Sequence, residues 1–116
     1  MKKNLWIEIG HKSIRYDHLV SIGYDCKKEF CVFYVEMTGN GRREEFMEIL
    51  MTDLFSQNDD PEQLCLLLQK VLHDMELAID CALAECTDTL NLVDVCGNAV
   101  ASRFRRCHFR QLQSKN

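Results

Sequence analysis

Proline is nearly missing from this chain, with Pro61 alone, and glycine occupies only five of its 116 positions. The sequence also lacks the low hydrophobicity and high charge of disordered chains: 47% of its residues are apolar and 28% charged, enough apolar surface to offset the entropy lost on folding. No apolar run approaches the roughly 20 residues that a membrane-crossing helix needs, which excludes such a span. The stretch from Leu5 to Gly10 is interrupted by Glu8 and followed by His11 and Lys12, a pattern unlike a secretory leader.

Catalytic signatures are missing as well. There is no Gly-x-Ser-x-Gly, no Walker loop, no His-Glu-x-x-His and no Gly-x-Gly-x-x-Gly; Gly39-Asn40-Gly41 reads as a turn. Cys107 and His108 are sequence neighbours, and on a helix neighbouring side chains diverge by about 100°, so they do not form a nucleophile and base. The four histidines fall at turns (His11, His18), on a polar helix face (His73) or in a basic cluster (His108). The expectation is a protein that is not an enzyme and holds no metal or other cofactor.

Seven cysteines, Cys26, Cys31, Cys65, Cys81, Cys86, Cys96 and Cys107, resemble a disulfide framework only until their odd number and aliphatic neighbours are noted. Cys-x-x-Cys is lacking, and the spacings of Cys26 with Cys31 and Cys81 with Cys86 do not suit common zinc sites. Reduced thiols and a cytoplasmic location are expected.

What is present reads as one α+β domain over residues 1–116. Leu5, Ile7 and Ile9 alternate against Trp6 and Glu8, and Val20, Ile22 and Tyr24 against Leu19, Ser21 and Gly23. Phe30 to Met37 is rich in β-branched and aromatic residues and runs into Thr38-Gly39-Asn40-Gly41, a hairpin signal, after which Arg42 to Met51 supplies a second arm, although Phe46, Ile49 and Leu50 also fit helical spacing. These segments predict an antiparallel β-meander of three to four strands. Asp60 as cap, Pro61 at the first helical position and Gln63 then open a long amphipathic helix, whose apolar stripe runs from Leu64 through Leu68, Val71, Met75 and Ile79 to Ala82 and Cys86. A stripe of that length suggests a sheet cover and also a seam for a homo-oligomer. Beyond Leu90 two readings compete: a short C-terminal helix from Ala99 to about Leu112, capped by Asn98, or a hairpin across Gly97-Asn98.

Charge order is the most informative feature. Residues 1–43 carry eight Lys or Arg against five Asp or Glu, residues 44–99 carry one (Lys70) against thirteen, and residues 100–116 carry five against none. The net charge of −4 thus conceals a bipolar chain. In the basic tail, Arg103, Arg105, Arg106 and Arg110 interleave with Phe104 and Phe109; guanidinium forks match phosphate oxygens, and rings accept stacked bases. The leading expectation is capture of a nucleotide-like or other phosphate-bearing anion, or a short single-stranded nucleic acid, by Arg103, Arg105, Arg106, Phe109 and Arg110, with Phe104 left to the core. The second is an acidic interaction module, an inhibitor or nucleic-acid mimic, in which Glu44, Glu45, Glu48, Asp53, Asp59 and Asp60 engage a basic protein surface.

Overall fold

The hydrophobic alternation of the first half resolves into two sheets rather than one. The computed structural model describes residues 4–10, 12–39, 41–57, 60–104 and 109–111. In chain order the elements are β1 (Trp6–Ile9), β2 (Lys12–Arg15), a 3-10 turn (Tyr16–His18), β3 (Leu19–Cys26), β4 (Phe30–Met37), β5 (Arg43–Leu50), α1 (Met51–Gln57), α2 (Pro61–Ala84), β6 (Thr89–Asn91), α3 (Leu92–Arg103) and β7 (Phe109–Gln111). The fold is α+β, as the sequence pattern implies.

The expected meander is the run β3, β4 and β5, which continues through β7 into an antiparallel sheet of order β3-β4-β5-β7. The β4–β5 connection turns on Gly39 and Gly41, both at positive φ, where a Cβ would be strained. The first predicted strand does not join this sheet. β1 pairs antiparallel with β2 and parallel with β6, making a second sheet of order β2-β1-β6. The parallel partner lies near the other end of the chain, and no local pattern in the sequence carries that pairing.

One core joins both sheets and the helices. Cys31, Phe33 and Val35 alternate along one face of β4 with no exposed surface, opposite Met47 and Ile49 of β5. Ile7 and Ile9 of β1 and Leu92, Cys96 and Val100 of α3 belong to the same cluster, as does Phe104, which is buried as the sequence suggests. Each such side chain removed from water stabilises the fold by about 1.5–3 kcal/mol.

α2 begins where Asp60 and Pro61 place it: the Asp60 carboxylate accepts from the Glu62 amide at 3.0 Å, and Pro61 brings no stranded N–H to the first turn. Leu64, Leu68, Val71, Met75, Ile79 and Ala82 form its buried stripe. Cys86 is exposed and does not extend that stripe. Instead it terminates the helix with φ of 57°, its amide donating to Leu83 while Thr87 donates to Ala82. That is a Schellman cap with cysteine where glycine is usual.

The last third corrects the expected C-terminal helix. α3 starts at Leu92 and is capped by Asn91, whose side chain accepts from Asp94 N at 3.2 Å; Asn98 lies inside the helix. It ends at Arg103, and Phe104 is already extended. The physical reason is the buried stripe of Leu92, Val93, Cys96, Ala99 and Val100, which sets the helical phase earlier than Asn98. Leu90 to Val95 is therefore split between β6 and the first turn of α3, and the Gly97-Asn98 hairpin does not form. Phe109–Gln111 is a strand, not the end of a helix.

Candidate functional site

Between β3 and the C-terminal half of α2 lies a cleft of about 320 Å³. Three local features build it. The 3-10 turn presents Tyr16; an irregularity in the β3–β4 register between Leu19 and Ser21 turns Val20 to solvent; and helical spacing gathers Glu76, Ile79 and Asp80 within one turn of α2. Leu19, Ile22 and Ile79 pack against the core and form an apolar floor, while Tyr16 and Val20 add exposed apolar rim, Val20 being 58% exposed. Glu76 and Asp80, both exposed, make the α2 rim acidic. β3 is also an edge strand among the described residues, so the backbone beside the cleft has an open side.

This volume is at the low end of ligand pockets, roughly 300–1,000 Å³. It takes one or two apolar side chains or a small organic group. Two carboxylates on its rim repel phosphate and attract cations, so the anion expected from the basic tail does not belong here.

The residues of that tail are distributed differently from a shared helix face. Arg103 stands in the last turn of α3, where its Nη1 donates to Asp74 Oδ2 at 2.6 Å and to the Ala99 carbonyl and Ser102 Oγ at 3.2 Å each. Its side chain is 21% exposed. Arg105 and Arg106 lie outside the described residues. Phe109 and Arg110 belong to β7, with Ile49 and Glu48 of β5 as their Cα partners.

The described residues of the acidic set are engaged within the chain as well. Glu44 accepts from Lys12 Nζ at 2.8 Å and Glu45 from Lys27 Nζ at 2.9 Å. Glu48 stands on β5 opposite Val32, Asp53 opens α1, and Asp60 caps α2; Asp59 lies outside the described residues. The described carboxylates are spread over β5, the first turn of α1 and the N-cap of α2.

The amphipathic pattern puts Glu76 and Asp80 opposite the apolar stripe of the helix, and the alternation puts Val20 in a strand, but neither pattern joins them. The one available signal was the apolar Tyr16, Leu19 and Val20 so close to a turn; their meeting with α2 is purely tertiary. Among the described residues no group of three or more His, Cys, Asp or Glu is arranged to hold a metal ion, and no helix is long and apolar enough to cross a membrane. Comparison with family models, curated proteins and solved structures finds no match to this chain.

Proposed function

We propose that this protein is a non-enzymatic binding module whose cleft between β3 and α2 receives a basic, apolar-anchored segment of another protein. One observation carries the reading: an apolar floor of Leu19, Ile22 and Ile79 sits directly beside the paired carboxylates of Glu76 and Asp80. An apolar anchor inserted there is desolvated, and a flanking lysine or arginine meets Glu76 or Asp80. The open side of β3 favours an extended segment, and the irregularity at Val20 keeps such pairing short. This retains the acidic-module idea but moves it from residues 44–62 to α2. Action inside the cytoplasm, where disulfides are transient, belongs to the same proposal.

The test is fluorescence anisotropy with labelled synthetic peptides in which one leucine or phenylalanine is flanked by lysines, against the same peptides carrying glutamates. The basic peptides are expected to bind in a salt-sensitive manner. Glu76→Lys and Asp80→Lys should each weaken them by about tenfold or more, since reversal replaces attraction with repulsion. Equal binding of both peptide sets, or indifference to the reversals, overturns the proposal. Thermal shift with inorganic phosphate, mononucleotides and cyclic dinucleotides runs beside it. Stabilisation by these, lost with Arg110→Ala, returns the basic-tail reading to first place.

A further inference from the structure

Cys26 and Cys31 are Cα partners across the hairpin that joins β3 to β4. Lys27 N donates to Phe30 O at 2.8 Å, which makes Lys27 and Phe30 the hydrogen-bonded pair and leaves the cysteines at the adjacent non-hydrogen-bonded position. At such positions Cα atoms stand about 4.5 Å apart, inside the roughly 4.4–6.8 Å range that a disulfide spans. The two sulfurs are 3.9 Å apart as thiols, so side-chain rotation closes the gap with the strands already in place. Their accessibilities differ sharply: Cys26 is exposed, whereas Cys31 has no exposed surface. A reagent in solution reaches one sulfur, and the other is reached through its neighbour.

We propose that Cys26 and Cys31 form a reversible thiol–disulfide pair, oxidised by a small-molecule disulfide of the glutathione class, that locks the β3–β4 hairpin. The Cys26 thiolate attacks one sulfur of the oxidant, breaking its S–S bond, forming a mixed disulfide and releasing one thiolate. Cys31, deprotonated as its proton passes to solvent, attacks Cys26 Sγ and expels the second thiolate. Two protein thiols and one small disulfide become one protein disulfide and two small thiols. Burial raises the pKa of both cysteines, while the Cys31 thiol hydrogen-bonded to Cys26 partly offsets this for the attacking sulfur. That order of ionisation agrees with their order of exposure. The exposed Cys65 thiol of α2 lies near enough to Tyr24 and Cys26 to help raise the pKa of both, and is the competing partner.

The experiment incubates the fully reduced protein with increasing oxidised glutathione, traps free thiols by alkylation and maps linkages by peptide mass spectrometry. A Cys26–Cys31 linkage is expected before any other, with two of the seven thiols lost and both restored by dithiothreitol. Cys31→Ala should accumulate the mixed disulfide on Cys26, and Cys26→Ala should reduce glutathione incorporation in this hairpin by about tenfold or more, because the remaining sulfur is inaccessible. Circular dichroism confirms that each variant is folded, and the linkage map of the unsubstituted protein stands independently of them. A first linkage through Cys65, or glutathione spread over exposed cysteines without the hairpin bond, overturns the proposal.

Discussion

Arg103 and Asp74 join the last turn of α3 to the middle of α2 through a 2.6 Å contact between Nη1 and Oδ2. The same guanidinium nitrogen donates to Ala99 O and Ser102 Oγ, so the arginine closes its own helix while fastening it to another. A cation at a helix C-terminus also meets the negative end of the peptide dipoles. These ties give Arg103 a sufficient structural role without a ligand.

Arg103→Ala should therefore reduce stability by about 1 kcal/mol, a figure discounted because both side chains retain solvent contact. Asp74→Asn should lose part of the same energy, and the double variant should cost less than the two single costs combined. Urea melts of the four proteins measure this; strictly additive costs would show that the pair contributes nothing jointly.

Cys86→Gly is expected to stabilise the protein by about 1 kcal/mol, since a left-handed backbone costs cysteine what it does not cost glycine. Cys86→Ala, which keeps a Cβ, should not reproduce the gain. Thermal unfolding of both variants provides the comparison.

Gly23→Ala should do the reverse. A Cβ there would stand 2.5 Å from Tyr34 Oη and 2.6 Å from Cζ, so the ring must leave its place beneath Arg43, whose guanidinium lies 4.4 Å from the ring centre. The expected cost is about 1 kcal/mol, falling when Tyr34 is also made alanine. An unchanged cost in the Tyr34→Ala background would separate the glycine from the ring.

Alkaline pH should destabilise the fold. Burial pushes the Cys96 thiol up to about 12 and the Cys31 thiol well above its ordinary range; burial and contact with Cys65 hold the Tyr24 phenol at about 12. Below the ordinary thiol and phenol values, about 8.5 and 10, these groups are neutral whether folded or not, and their contribution to stability is fully present. As pH rises from there towards the folded values, the unfolded chain releases protons that the folded chain retains, and stability falls. Melting temperature should be level up to about pH 8 and then decline, less steeply in Cys96→Ala.

The strands of the meander and the start of α2 were legible because each is specified locally: Phe30 to Met37 by composition, the turn by Gly39 and Gly41, the helix by Asp60 and Pro61. β2 and α1 carried weak periodicity and were not foreseen. Asn98 offered a plausible cap, but Asn91 starts the helix because only that phase buries Leu92, Cys96 and Val100 together. The cleft was the least legible feature. Tyr16, Val20, Glu76 and Asp80 are unremarkable in their own segments, and only the packing of α2 beside β3 brings them to one place. Cys26 and Cys31 were visible as a pair, but their spacing argued only against zinc; the hairpin register gives it meaning.

The placing of β1 between β2 and β6 bears on how the molecule is made. Trp6 stands opposite Thr89, so no growing chain that stops short of Thr89 can finish the small sheet, even though β1 and β2 are made before β6. The meander is free to form early, whereas the flank of β1 stays open until Thr89–Asn91 has been made. A chain cut or stopped before Thr89 thus keeps one flank of β1 as an open strand edge, which the completed small sheet does not have.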